Sequence, residues 1–367
     1  MRRDKLFRFI GIAFAVGAFV GLVCGLAFGG SGNAGTPKAQ STGKGSSTTS
    51  VTTSDETTVP SGPMTAERAK AIGANEMGEV LVVMYHLIDS DISTSPDWTR
   101  TPAQLRSDIA LLKADGYYPI NIRDLASGNI DIPAGKSPVV VTFDDSSPGQ
   151  YRILDDGTTD PDCAVGILQQ ASQDGDWAAR ASFFVLLDVT PKERVLFGQT
   201  DKQQEKLRNL IDWGYEVGSH TVTHLDLKTA STAEATKQLA VSERTLDDMI
   251  GGGYKVTSLS VPFGEYPASD GILKGGTYLN KPYSYSAAVS IANRPSASPF
   301  STEFNAFHIP RVRGGANYLT DAINTLKQHP ELRYISDGDP TTVSAPQTLD
   351  PKLGQPLSDL GRPVIRY

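Results

Sequence analysis

The chain has 367 residues, of which 39% are hydrophobic and 20% charged, enough for one large domain or two small ones with tails. Its net charge of −7 argues against a nucleic-acid-binding protein, because such proteins rely on clustered Lys and Arg. Two distant cysteines, Cys24 and Cys163, argue against a disulfide framework and against a thiolate metal site. The candidate metal ligands and catalysts are then the five histidines: His86, His220, His224, His308 and His329.

The N-terminal segment, 1–28, combines a basic start with a long uncharged run. The run from Phe9 to Phe28 is about the length that crosses a bilayer as a helix. Basic residues in front of it predict that the N-terminus stays inside and the rest of the chain outside. We therefore expect a single-pass membrane anchor with an extracytoplasmic domain. A cleaved signal peptide, which would make the protein secreted, is the alternative.

Three further segments follow from changes in composition. Residues 29–75 are predicted to be a linker, because most of this segment is Gly, Ser and Thr and cannot bury a core. Alternating strands and helices predict a catalytic domain at 76–336. Residues 337–367 contain several prolines and little periodicity, and we expect an irregular extension there.

The domain alternates short apolar strands with capped helices. Strands are predicted at 79–85, 138–143 and 182–187, and in YEVGSH, TSLSVPF, SYSAAVS and AFHIPRV. Helices are predicted from Thr101–Pro102 to Gly116, at 201–213, and from a Ser231–Glu234 capping box to Gly251. This alternation predicts a parallel α/β sheet or barrel. Functional sites in such folds lie at the carboxyl ends of the strands.

Two adjacent carboxylates, Asp144 and Asp145, directly follow an apolar strand. Successive side chains at a strand end point in different directions, so one carboxylate can bind a metal while the other faces a substrate. An Asp-rich turn is the alternative for this pair alone.

His220 and His224 are four residues apart, and one helical turn would bring both imidazoles to one face. Two His nitrogens and a carboxylate form a common divalent metal site, although two exposed helix histidines would look the same.

A third stretch, SVPFGEYP, predicts a tight turn after a strand. Pro262 and Gly264 fix the turn, which would present the backbone N–H of Phe263 to an oxyanion. On its own this stretch is only a loop.

These three stretches, in this order and after these strands, resemble the polysaccharide deacetylase family, the NodB-homology group also called carbohydrate esterase family 4. The resemblance covers about residues 79–335. It implies a distorted (β/α) barrel in which Asp145, His220 and His224 hold a divalent metal, most often Zn, with Co, Ni or Fe as alternatives. Asp144 would be the general base, with Phe263 and Pro262 at the oxyanion.

The chain departs from the family pattern in its third motif. Ser260 stands where the family usually has an arginine that pairs with the catalytic aspartate. Arg311, in the later segment IPRVRG, is the candidate replacement and would reach Asp144 from the other side. Arg313 is the neighbouring alternative, with a surface ion pair as its simpler interpretation.

The family's C-terminal Leu-x-x-His motif, which supplies the general acid, is also missing. His86 ends the apolar strand LVVMYH and has the character of that motif moved to the front of the domain. Some deacetylases of exported poly-N-acetylglucosamine resemble a circularly permuted form of the family, and this chain is similar to them. We expect His86 to be the acid, with a structural strand-end histidine as the alternative. His308 and His329 are weaker candidates.

The resemblance implies a metal-dependent hydrolase that removes N-acetyl groups from a cell-envelope or extracellular polysaccharide. Its partners would be that glycan and, through the N-terminal helix, the membrane, with a monomeric catalytic domain. Tyr151, in the long segment after the first motif, is expected to shape the substrate groove, although a plain surface insertion also fits. Two other functions stay open, a glycan-binding module without catalysis and an O-acetyl esterase.

Overall fold

The computed structural model describes residues 62–93, 95–315 and 317–367. The predicted membrane anchor at 1–28 and most of the predicted linker lie outside these residues. Within the described part of the chain, no helix is both long and apolar enough to cross a membrane.

The domain contains fourteen short strands and eight α-helices among the described residues. The strands are β1 Leu81–Tyr85, β2 Leu87–Ile88, β3 Thr99–Arg100, β4 Tyr117–Ile120, β5 Ser137–Asp144, β6 Ser182–Val185, β7 Glu216–Ser219, β8 Ser258–Ser260, β9 Gly276–Tyr278, β10 Lys281–Tyr283, β11 Ala287–Val289, β12 Val312–Arg313, β13 Val343–Ala345 and β14 Val364–Arg366. The helices are α1 Ala66–Ile72, α2 Pro102–Ala114, α3 Ile122–Ser127, α4 Ala164–Ala171, α5 Gln203–Asp212, α6 Thr232–Ile250, α7 Gly271–Lys274 and α8 Tyr318–Gln328.

Eight parallel strands form the central sheet, in the order β11-β8-β7-β6-β5-β1-β12, with β4 beside the first half of β5. Ile309 makes a single parallel bridge to Val289 of β11, three residues before β12 pairs with β1. The segment from Ile309 to Arg313 therefore brings the two edges of the sheet together. This parallel arrangement fits the predicted distorted barrel.

Alternate residues of the central strands enter two different cores. Leu81, Val83 and Tyr85 of β1 belong to the cluster that contacts the surrounding helices, whereas Val82 belongs to the second cluster, inside the sheet. In β5 the residue that belongs to the second cluster is Val140, and Asp144 lies four residues further along the same face of the strand. The strand is buried along its whole length. The period of two in strand side chains therefore points Asp144 into the barrel.

The predicted strand AFHIPRV is shorter in the structure than in the sequence pattern. Only Val312 and Arg313 form β12, and the earlier part makes the single bridge at Ile309. Pro310 has no N–H to donate to a ladder, which explains why the pairing is interrupted there.

The folded region starts before residue 76, inside the segment predicted as a linker. Thr65 caps α1 by accepting a hydrogen bond from the Arg68 N–H, and Ala69 is fully buried. Small residues form this contact, so the hydrophobic pattern that reveals a core helix is weak here.

The C-terminal residues are more ordered than the predicted irregular extension. Strands β13 and β14 pair in parallel, and the Tyr367 hydroxyl donates to the Ala74 carbonyl. The Ser344 N–H of β13 donates to Glu76 at 2.8 Å. These contacts lie at the amino ends of the central strands, because Glu76 precedes β1. The extension therefore closes the end of the barrel away from the strand carboxyl ends.

Candidate functional site

The carboxyl ends of neighbouring strands surround a cleft of about 1030 Å³. Strand β1 is followed by His86, β5 ends in the Asp144–Asp145 pair, and β7 is followed by His220. These side chains come from three strands of the sheet, so the parallel register brings them together. The cleft is lined by His86, Leu87, Ser95, Trp98, Asp144, Asp145, Asp188, Val189, Thr190, Arg194, His220, Thr223, His224, Val261, Phe263 and Ile291.

The three predicted metal ligands converge at one point of this cleft. Asp145 Oδ1 lies 3.4 Å from His220 Nε2 and 3.5 Å from His224 Nε2. Their ligand atoms all lie within 4.8 Å of one another. The predicted helical turn between the two histidines is wrong, because residues 220–224 form a turn in which Thr221 and His224 have φ of 65° and 58°. The left-handed backbone, rather than helix geometry, directs His224 back towards Asp145.

The histidines are oriented as metal ligands. His220 Nδ1 lies 2.8 Å from the Ser260 carbonyl, to which it donates, and this contact leaves Nε2 to face Asp145. Burial, followed by the neighbouring His220, lowers the pKa of His224 to about 4, so His224 is neutral at neutral pH. Neutral imidazoles are the ligand form that divalent metals require.

The residues fit a divalent cation. Burial opposes ionisation of Asp145, but contacts with His220 outweigh burial and hold the pKa of this carboxyl well below its usual range. Asp145 Oδ1 is buried, and the nitrogen atoms around it belong to His220, His224 and Arg194. Arg194 Nη2 lies 2.8 Å from the same oxygen. A carboxylate with two imidazoles is a donor set that suits Zn²⁺ and leaves further positions open.

Asp144 is paired with Arg311 in the barrel interior. Arg311 Nη1 donates to Asp144 Oδ1 and Nη2 donates to Oδ2, each at 2.7 Å. Arg311 is completely buried, and Asp144 is only 2% exposed. Burial raises the pKa of Asp144, but Arg311 outweighs burial and lowers it to about 2. The contact predicted for Arg311 is therefore present, and its part in the reaction stays a prediction.

Ser260 explains why an arginine from another segment can replace the motif residue. Its hydroxyl donates to Asp144 Oδ2 at 2.9 Å and accepts from Arg311 Nη2 at 3.0 Å. A serine leaves room for the guanidinium group on the interior side of β8. Arg311 Nε also donates to the Ser290 carbonyl at 3.0 Å, and this third contact fixes the plane of the guanidinium group.

His86 faces Asp144 across the cleft. Its Nε2 lies 3.9 Å from Asp144 Oδ2, which is beyond hydrogen-bond distance. Burial lowers the pKa of His86, and the carboxylates Asp144 and Asp145 oppose this effect. Gln150 Nε2 donates to the His86 carbonyl at 2.6 Å, so the backbone at this strand end is fixed. Its position permits the predicted acid role, which stays a prediction.

The VPFG stretch forms the predicted tight turn. Phe263 has φ of 60°, is 61% exposed, and its ring centre lies 4.3 Å from that of His224. Pro262 is buried beneath the turn and does not line the cleft. The predicted oxyanion role of Phe263 remains untested by this geometry.

Tyr151 is not part of the cleft, and its predicted place in the substrate groove is wrong. Its side chain is fully buried, and Asn209 Nδ2 donates to its hydroxyl at 3.0 Å. The ring packs between Phe197 and Trp213. Acidic neighbours in the sequence suggested a surface loop, but the aromatic ring belongs to the helix-facing core.

The other two histidines are placed away from the cleft. His308 Nε2 contacts Asp270 at 2.9 Å and its ring stacks on Tyr266, whereas His329 is an exposed helix end beside Glu331. Two cleft residues, Arg194 and Trp98, were missed by the sequence reasoning. Both come from irregular segments, where no periodic pattern marks a functional side chain.

Comparison with known protein families gives a match to part of the chain. Residues 131–270 match the family described as polysaccharide deacetylase. Residues 131–270 carry a polysaccharide deacetylase domain. This finding confirms the predicted family and the predicted class of enzyme, a deacetylase hydrolase. The matched residues include Asp144, Asp145, His220 and His224, whereas His86 and Arg311 lie on either side of them.

One solved structure agrees with the predicted fold, and two others are similar over about the same share of the chain. A polysaccharide deacetylase from Bacillus cereus is 21% identical, with a TM-score of 0.50, and the match covers 67% of this chain and 69% of that one. A deacetylase from Streptococcus pyogenes, solved in complex with acetate, is 20% identical over 68% of this chain and 97% of that one, with a TM-score of 0.47. IcaB from Ammonifex degensii is 16% identical over 67% and 96%, with a TM-score of 0.45. No curated protein sequence matches the chain.

Proposed function

We propose that this polysaccharide deacetylase removes N-acetyl groups from an extracellular or cell-envelope glycan in a metal-dependent reaction. The observation that carries the proposal is the division of labour between two adjacent carboxylates. Asp145 faces His220 and His224, whereas Asp144 is held ionised by Arg311. One carboxylate is thus available to a metal and the other to a proton.

A divalent cation held by Asp145, His220 and His224 would lower the pKa of a bound water and polarise the acetyl carbonyl. Asp144 would accept the proton of the attacking water, because its carboxylate stays charged at neutral pH and lies in the cleft wall. The Phe263 N–H would stabilise the oxyanion that develops on the carbonyl.

The leaving amine requires a proton, since an unprotonated amide nitrogen leaves as a poor anion. His86 is the side chain placed to donate it, because it lies in the cleft wall beside Asp144. Its 3.9 Å separation from Asp144 allows the two groups to serve the same substrate without binding one another.

The glycan-binding alternative loses its main support in this structure. That alternative rested on the missing motif arginine, and Arg311 now provides a bidentate guanidinium partner for Asp144.

We also propose that the domain acts outside the cytoplasm, at the membrane or after secretion, because an N-terminal basic and apolar segment precedes it. Polymeric glycans of the envelope would be accessible there.

The test measures acetate release from N-acetylglucosamine oligomers after chelation and after addition of Zn²⁺ or Co²⁺. We expect no release from the chelated protein, recovery with metal, and loss of at least about a hundredfold in Asp144→Asn, the size of a general-base contribution. Activity that survives complete chelation would contradict the metal-dependent mechanism.

A matched ester substrate separates amide from ester hydrolysis. An alcohol leaves more easily than an amine, so His86→Ala should lower N-acetyl hydrolysis far more than O-acetyl hydrolysis. His329→Ala, which changes an exposed histidine elsewhere, serves as the control. Equal losses on both substrates would remove the acid role from His86.

A further inference from the structure

An arginine at the edge of the cleft is enclosed by two aromatic rings. The guanidinium carbon of Arg313 lies 5.2 Å from the centre of the Trp98 ring and 4.5 Å from that of Tyr318. Arg313 Nη2 also donates to the Tyr318 hydroxyl at 3.3 Å. We call Trp98, Arg313 and Tyr318 the aromatic stack. Cation–π contacts of this kind hold ring planes in a fixed relation.

The backbone of Trp98 is fixed beside the candidate acid. The Leu87 N–H donates to the Trp98 carbonyl at 3.0 Å, in the residue pair that precedes the β2–β3 ladder. Arg100, at the end of β3, donates twice to Asp108 of α2. These contacts set the Trp98 ring with its centre 4.7 Å from that of His86.

The aromatic stack is partly open to solvent. Trp98 is 38% exposed and Tyr318 is 37% exposed, and Trp98 lines the same cleft as the metal-facing residues. On the other side of those residues Phe263 is 61% exposed. Exposure alone does not distinguish Trp98, since Trp213 is equally exposed, but Trp98 combines it with a place in the cleft wall beside His86, and aromatic side chains that line a cleft mark a binding surface.

We propose that Trp98 is a sugar-binding platform that receives a pyranose ring next to the acetylated sugar, on the His86 side of the cleft. A pyranose ring presents a face of C–H groups, and these carry a small positive charge that suits the negative face of an indole. Arg313 packs against the indole and holds it open towards the cleft. The inference rests on the proposed function and assigns a chain of at least two sugars, rather than a single sugar, as its substrate.

The kinetic test compares substrates of different length. For Trp98→Ala we expect KM to rise about tenfold on N-acetylglucosamine oligomers of four to six sugars, the size of one lost aromatic contact. The kcat on these oligomers should change little, and so should hydrolysis of 4-nitrophenyl acetate, which has no sugar. Trp98→Phe should recover most of the lost affinity. Trp213→Ala is the matched control, because Trp213 is also 38% exposed but does not line the cleft.

Two outcomes would overturn the platform. One is a Trp98→Ala enzyme with the KM values of the wild type at every oligomer length. The other is a fall in kcat on the oligomers without a rise in KM, because that result would mean that Trp98 only holds His86 in place.

A binding measurement separates this inference from the proposed function. The chain has three tryptophans, and Trp177 is buried, so a glycan on the platform should quench the fluorescence of the chelated protein. We expect quenching by the oligomers in the wild type and in Trp213→Ala, and none in Trp98→Ala. If none of the acetylated oligomers releases acetate, the proposed function fails. The quenching measurement still shows whether Trp98 binds a glycan. Quenching that survives in Trp98→Ala would reject it.

Discussion

Arg311 places a permanent positive charge inside the barrel, where Asp144 neutralises it. The pair makes two hydrogen bonds of 2.7 Å, and Thr142 and Ser260 contact the same guanidinium group. A buried charge that loses its partner keeps the cost of its burial without the compensating attraction. The single arginine therefore supports both the fold and the ionised state of Asp144.

We predict that Arg311→Ala lowers the free energy of unfolding by about 3 kcal/mol, because it leaves Asp144 buried and unpaired. The pKa of Asp144 should rise, so deacetylation should be lost at a higher pH than in the wild type as the solution is acidified. Urea unfolding and the pH profile of kcat/KM measure the two effects. Arg313→Ala, two residues away, is the control and should leave the stability loss below about 1 kcal/mol. A wild-type pH profile in Arg311→Ala would contradict the proposed pairing role.

Most residues of the site could be identified from the sequence, but their arrangement in space could not. Asp144 and Asp145 were recognisable because two carboxylates at the end of an apolar strand are costly without a function. The turn that carries His224 was not, because a spacing of four residues fits a helix as well as a left-handed turn. Arg194 and Trp98 could not be found, since only tertiary contacts bring them to the cleft.

At the scale of elements, local signals predicted three of the eight α-helices among the described residues, α2, α5 and α6. Thr101 caps α2 with a complete capping box to Gln104, as its sequence suggests, and Ser231 caps α6. The closure of the sheet between β11 and β12 was not predictable, because it depends on a single bridge between distant segments. The order of strands follows from non-local pairing, which hydrophobic periodicity does not encode.

One glycine determines how the cleft wall is built. Gly149 follows the aspartate pair, and a Cβ atom there would lie 1.8 Å from the Ile88 carbonyl oxygen of β2. Neither backbone can move freely, because Ala164 N–H donates to the Gly149 carbonyl. The loop after β5 and the β2 strand after His86 therefore need this residue to have no side chain.

We predict that Gly149→Ala lowers the melting temperature by several degrees, as overpacking of about 1–3 kcal/mol would do. Deacetylation should fall with it, because the displaced β2 carries the backbone next to His86. Gly271→Ala is the control, since a Cβ there meets only the Ser269 hydroxyl at 3.4 Å. Thermal unfolding followed by circular dichroism measures the difference, and equal melting temperatures for the two variants would contradict the packing argument.

At the scale of the whole molecule, a buried acidic group connects the two ends of the described chain. Glu76 accepts hydrogen bonds from the Ser344 N–H at 2.8 Å and from the Tyr334 hydroxyl at 3.2 Å. Burial, followed by the nearby Asp337, raises the pKa of Glu76 from 4.5 to about 8. The folded chain therefore holds a proton on Glu76 at pH values where the unfolded chain has released it.

This raised pKa predicts that stability falls as the pH rises. Between the ordinary pKa of 4.5 and the raised value of about 8, the native state binds more protons than the unfolded state. The free energy of unfolding should then fall by up to about 1.4 kcal/mol per pH unit from this group. Glu76→Gln should abolish this part of the pH dependence of the free energy of unfolding. Glu331→Gln, an exposed control, should leave it unchanged. Urea unfolding from about pH 5 to pH 8 measures it; identical slopes in wild type and Glu76→Gln would refute the assignment.

The same end of the barrel also determines how the protein responds to mechanical force. Helix α1 and Tyr367 meet there, and among the described residues the cluster beneath them has three buried members, Met64, Ala69 and Ala74, with partly buried side chains packed against them. A pull from the chain before residue 62 reaches this small cluster before it reaches any strand that carries a cleft residue. Under such a pull, helix α1 should therefore detach and unfold first. The chain would lengthen by the residues of α1 while the cleft stays assembled.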